Sequence, residues 1–95
     1  MKIFFRFEKI STAGDLDKKL ERLLGRMERK LSSFREEFRK IWIRVKKERG
    51  QYEVEGRMEL PGKQVVVKER GDRLLGVVSK VREGLLRQIE KYKRR

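Results

Sequence analysis

The sequence predicts an α+β fold whose elements run β-α-β-β-β-α, a four-stranded mixed sheet with two helices packed on one face. Three observations carry this prediction. Two segments, one following Thr12 and one following Gly71, repeat apolar residues at steps of three and four, the period of a helix. Four shorter segments are rich in aromatic and β-branched residues and mostly alternate apolar with polar, as half-buried strands do. No repeat, linker or low-complexity block divides the 95 residues, so residues 1–95 are expected to form a single domain around one modest core.

Each element has its own justification. IFFRF (3–7) reads as a first strand, with Ile3, Phe5 and Phe7 sharing a face. Thr12-Ala-Gly-Asp15 resembles a capping box that opens the first helix. Leu16, Leu20, Leu23, Leu24, Met27, Leu31 and Phe34 form its apolar stripe. KIWIRVKK (40–47) sets Ile41, Ile43 and Val45 against Trp42, Arg44 and Lys46. Arg49-Gly50-Gln51 is a turn, and YEVEGRMEL (52–60) alternates again. Pro61-Gly62 suits the centre of a type II turn, where Pro fixes φ and Gly accepts a positive one. QVVVK (64–68) is the last strand, and Gly71-Asp72 leads into the final helix. The helical crossover makes the first two strands parallel, and the other two follow as antiparallel hairpins. With one apolar stripe per helix, both helices cover the same sheet face. Phe4, Arg6, Trp42, Arg44, Glu53, Glu55, Arg57 and Val66 line the face left open.

Composition excludes whole classes of chemistry. There is no Cys and no His, so nucleophile–histidine catalysis, thiolate sites and histidine–metal sites are impossible. The carboxylates are interleaved with Lys and Arg, which makes surface ion pairs the default over an acid/base dyad. GRMELPGKQ resembles a phosphate loop only superficially, because its glycine spacing is too long and no Ser or Thr follows Lys63. No catalytic residue, metal, cofactor or small-molecule substrate is therefore expected, and no enzyme. No apolar run approaches the roughly 20 residues of a membrane span. The start, MKIFFRFEKI, is too charged for a signal peptide, and a reducing cytoplasm suits the chain.

Charge points to a partner. Lys and Arg number 28 against 15 Asp and Glu, a net +13. Such an excess favours a polyanion, because cations displace the counterions condensed on phosphates. The signs are segregated on both helices. Lys18, Arg22, Arg26 and Arg29 lie away from the first stripe, with Asp17, Glu21 and Glu28 on the other flank. On the last helix, Arg73, Lys80, Arg87, Lys91 and Arg94 align at steps of seven, seven, four and three. Two adjacent ridges forming one basic surface would contact a nucleic-acid backbone. The last helix carries Gln88 as its one amide, far from its start, which suits folded RNA better than base reading in a DNA groove. A membrane-surface or calmodulin-target helix is disfavoured because the apolar face is needed for the core. Trp42 beside Phe4 could stack on bases or bind a protein, or be a half-shielded patch. Gly25, Gly76 and Gly84 are read as facing outward.

The ending LLRQIEKYK (85–93) and the first helix, DLDKKLERLLGRMERKL (15–31), resemble the ribosome hibernation promoting factors, also called ribosome-associated inhibitor or sigma-54 modulation proteins. The resemblance covers nearly the whole chain. It implies a fold like the double-stranded-RNA-binding domain. It also implies a stress-phase factor that sits in the decoding channel of the small ribosomal subunit, contacts rRNA and blocks the tRNA sites. Carried over by position, it points to Arg26, Arg87, Lys91 and Lys93, whereas Lys80 and Arg94 rest on the charge pattern. The opening of the last helix departs from the family pattern at Leu75 and Ser79, and Leu23 and Gly84 stand where the family commonly has Lys. No second domain follows Arg95, so the dimerisation of the long form is not expected, and the chain should be monomeric off the ribosome. Two other readings remain: a generic double-stranded RNA-binding module, and a protein-interaction module using the Phe4/Trp42 face.

Overall fold

Alternation along the chain produces four strands, and a computed structural model describes residues 1–10 and 15–94 of the protein. The strands are β1 (Lys2–Glu8), β2 (Lys40–Glu48), β3 (Gln51–Leu60) and β4 (Lys63–Gly71). They lie in one sheet in the order β1-β2-β3-β4. β1 runs parallel to β2, and the other neighbours are antiparallel, as the crossover and hairpins require. The helical segments are α1 (Leu16–Leu24), α2 (Glu28–Leu31) and the long α3 (Leu74–Lys93).

Three details differ from the sequence reading. The first helix is interrupted, because a 3₁₀ turn at Gly25–Met27 separates α1 from α2. Glycine has poor helix propensity and stands at the break. The stripe nevertheless stays in phase, and Leu20, Leu24, Met27 and Leu31 are all fully buried. Asp15 occupies the N-cap position of α1 without a side-chain cap bond, and Thr12 of the expected capping box lies outside the described residues. β4 is longer than the expected strand and continues to Gly71, so that Arg73, with extended backbone, is the N-cap of α3.

The turns follow their chemistry. Arg49 and Gly50 both have positive φ (53° and 77°), the pairing of a type I′ hairpin turn, whose twist matches the strands it joins. Gly62 follows Pro61 with φ 74°, as a type II turn needs.

The core lies between one face of the sheet and the helices. Alongside the α1–α2 stripe, Ile41, Ile43 and Val45 of β2, Val54 and Met58 of β3, and Val78, Val81, Leu85 and Ile89 of α3 are among its fully or almost fully buried members. Truncating one of the large members, such as Leu85→Ala, would cost about 2–5 kcal/mol. α3 sits very close to the sheet. A Cβ on Gly56 of β3 would come within 2.5 Å of Val81, and one on Gly84 of α3 within 2.7 Å of Val67. Gly84 therefore faces β4 and not solvent, a correction to its outward placement. Its side chain is missing because the helix rests on the strand there. Gly25 and Gly76 do face outward, with no close neighbour beyond Arg73.

Candidate nucleic-acid interface

The expected RNA-contacting residues fall into groups defined by the helix each occupies. Arg22, on α1, and Arg26 and Arg29, just beyond it, are exposed. Around the 3₁₀ break, Gly25, Arg26, Arg29, Lys30 and Ser32 line a shallow open hollow of about 760 Å³ with Glu28. On α3, Lys80, Arg87, Lys91 and Arg94 are exposed. None of these seven expected cations has an ion-pair partner within 4 Å among the described residues.

The two ridges share the helical layer but do not merge. Lys80 lies four residues before Gly84, Arg87 three after and Lys91 seven after, so helical geometry puts them on Gly84's flank, beside β4. The opposite flank of α3 forms a seam with α1 and α2. There Arg82 donates to the Leu23 carbonyl at 3.1 Å and Lys93 to the Lys30 carbonyl at 2.7 Å, while Lys30 lies 3.8 Å from Glu90. Arg26 lies in the 3₁₀ turn between the two seam residues of the first helical region, Leu23 and Lys30.

Two of the expected residues stand apart. Lys93 is held in the seam, with its ammonium also 5.5 Å from the centre of the Phe34 ring. Arg73 precedes the first turn of α3, so the helical alignment that linked it to Lys80 does not reach it. The sequence reading also missed Arg82. Its position four residues before Leu86, on the flank next to the apolar stripe, is the signal that it fastens helix to helix.

The open sheet face carries a different arrangement. Phe4, Trp42, Arg57 and Val66 are successive cross-strand neighbours and form one row across all four strands. Phe4 stacks on Trp42 at 5.6 Å, and the Arg57 guanidinium lies 5.1 Å from the Trp42 ring centre. With Phe4 and Arg57 already packed against its ring, Trp42 is a poor platform for a nucleobase. The neighbouring rows are ion pairs. Arg44 and Lys68 both reach Glu55, at 3.3 and 3.8 Å, and Arg70 meets Glu53 at 2.7 Å. The hydrogen bond from Arg70 holds the Glu53 carboxyl below its ordinary range, against some opposing desolvation.

No group of His, Cys, Asp or Glu among the described residues could hold a metal ion, and none of their helices is long and apolar enough to cross a membrane. No family model and no curated protein matches the sequence. Solved structures do match along the whole chain. A ribosomal subunit interface protein from Coxiella burnetii superposes with a TM-score of 0.82 at 22% identity, covering 100% of both chains. The N-terminal domain of Protein Y from Thermus thermophilus gives 0.79 at 17% identity, covering 97% of this chain and 99% of that one. The chain has their fold. The β-α-β-β-β-α architecture read from the sequence is thus one that both of these proteins also adopt.

Proposed function

We propose that this chain is a non-enzymatic, cytoplasmic ribosome-binding factor. It occupies the decoding channel of the small subunit, contacts rRNA through its basic helix faces and inhibits translation under stress. The observation that carries the reading is the set of cations on the helical layer with no ion-pair partner among the described residues, within a fold shared end to end with a ribosomal subunit interface protein. Arginine and lysine side chains that have no carboxylate to neutralise them are free to displace counterions from phosphates. Inhibition is steric, because a domain seated in the channel excludes tRNA without any chemical step.

The RNA contacts are assigned to Arg22, Arg26 and Arg29 on one side of the seam and to Lys80, Arg87, Lys91 and Arg94 on the other. Lys93 has the lesser role of closing the helix pair, and Arg73 that of a peripheral charge. Cosedimentation with vacant small subunits at moderate salt tests the reading, with tRNA added as competitor. Binding that tRNA displaces is the expected result, and absence from the subunit pellet would sink it. A generic double-stranded RNA module would use the same cations, but plain duplex RNA would then compete as well as rRNA does.

A further inference from the structure

β1 forms one edge of the sheet. Among the described residues β1 has one neighbour, β2, so its other side presents unpaired backbone groups. The Lys2 N–H points toward β2, where it donates to the Arg39 carbonyl at 2.9 Å. Alternation then turns the backbone groups of Ile3, Phe5 and Phe7 outward. The side chains of the same three residues point to the core side but are only half-buried, whereas Ile41, Ile43 and Val45 on β2 are 0–1% exposed. Apolar cover is incomplete at this edge, and an unprotected edge is a template for another strand.

We propose that a second copy of this chain adds to the edge, antiparallel, in the register centred on Phe5. In that register Ile3 faces Phe7 of the second copy and Phe5 faces Phe5, each pair exchanging its outward hydrogen bonds. On the open sheet face Lys2 then stands opposite Glu8, and Phe4 opposite Arg6. The strand KIFFRFE thus meets itself with opposite charges paired at both ends and a cation against an aromatic ring between them. The neighbouring hydrogen-bonded registers lose this match. A shift one way sets Lys2 against Arg6, and a shift the other way sets Arg6 against Arg6. On the open sheet face the other edge, β4, carries Gln64, Val66, Lys68 and Arg70, with no acid to set against its cations in any self-register.

Two seven-residue strands bury less than the about 1,200 Å² of a standard stable interface, so the dimer is weak and reversible. It departs from the monomer expected off the ribosome. The surface it uses is not the basic helical layer, so it stands or falls separately from the ribosome-binding reading.

Charge swapping tests the register. Sedimentation velocity over a concentration series, with salt added to screen the net charge, should show the parent chain dimerising. Lys2→Glu opposes two acids at each end and Glu8→Lys two bases, so each variant alone should dissociate at least tenfold more readily. Their equimolar mixture should recover a heterodimer, because every end pair is then complementary. A parent that stays monomeric up to its solubility limit overturns the proposal. So does a mixture that stays monomeric, or a pair of single variants that dimerise as well as the parent. If Glu8→Lys fails to fold by circular dichroism, Glu8→Gln decides in its place. It removes the acid opposite Lys2 of the second copy, which in the single chain pairs with Arg6 at 3.3 Å, and must weaken the dimer several-fold; an unweakened dimer overturns the register.

Discussion

The outer surface of the helices and the open face of the sheet are both dense in charge, yet they treat it in opposite ways. On the sheet the strand register sets cation against anion. Arg44 is opposite Glu55, Lys46 opposite Glu53, Glu55 opposite Lys68 and Glu53 opposite Arg70. Three of the four cations in these pairings meet their cross-strand carboxylates within 4 Å. On the helices the signs are sorted by flank, and Arg22, Arg26, Arg29, Lys80, Arg87, Lys91 and Arg94 have no carboxylate within that distance among the described residues. The lesson is that net charge alone locates nothing. On the proposed reading, a solvated face differs from a polyanion-binding one in whether its charges already have partners.

The sharpest way to break this contrast is to remove cations from one surface at a time. The triple variant Arg87→Ala/Lys91→Ala/Arg94→Ala should weaken binding to small subunits by about tenfold for each phosphate left without its cation, on the order of a thousandfold in all. The slope of log affinity against log salt should also flatten by about 0.7–0.9 per phosphate. Arg44→Ala/Lys68→Ala on the sheet should leave both quantities unchanged. If filter binding or cosedimentation ranks the two variants the other way, the sheet is the RNA-binding face and the contrast is reversed.

Much of this was legible in the chain. Apolar periodicity set the element order, and the alternation in β2 and β3 named the open face residue by residue. The basic flanks could be named because a flank of an amphipathic helix is a matter of counting. Other features were hidden because they depend on how elements meet. Lys93 lies at the right spacing for a surface contact, but the carbonyl of Lys30 arrives from a distant part of the chain and takes its ammonium. Arg73 aligns with Lys80 on a helical projection, but β4 runs on to Gly71 and leaves it before the first turn. Gly84 reads as a gap in the basic ridge when only the sequence is considered. It marks instead the place where α3 rests on Val67, which no one-dimensional pattern encodes.

The close seat of α3 on the sheet gives an intermediate effect. Gly56→Ala places a methyl group within 2.5 Å of Val81, in the middle of the helix–sheet contact. Val81 and Leu85 would have to shift, and overpacking of this kind costs about 1–3 kcal/mol. Chemical denaturation should show the loss. Subunit binding per folded molecule should survive, since the cations stay on their flanks. If the affinity of the folded fraction falls together with its stability, the ridges depend on the exact seat of α3, and the two surfaces are coupled through the core.

The smallest effect concerns a single pair on the sheet, Glu53 with Arg70. The Arg70 hydrogen bond lowers the Glu53 pKa from the usual 4.5, so folding binds fewer protons at this carboxyl than the unfolded chain does. The stabilisation is therefore complete above the unfolded value and fades as pH falls through the folded one. Glu53→Gln should erase that contribution, shrinking the gap in urea midpoint between about pH 7 and about pH 3 by a small amount. The amount is small because both side chains stay partly in water, where ion pairs are weak and screened by salt. Binding to the small subunit should not change at all, because Glu53 faces away from the helical layer. A measurable gain in affinity would mean that freeing Arg70 had created a new phosphate contact. The sheet would then be a binding face silenced by its own carboxylates, and pairing itself would be the property that sets the two surfaces apart.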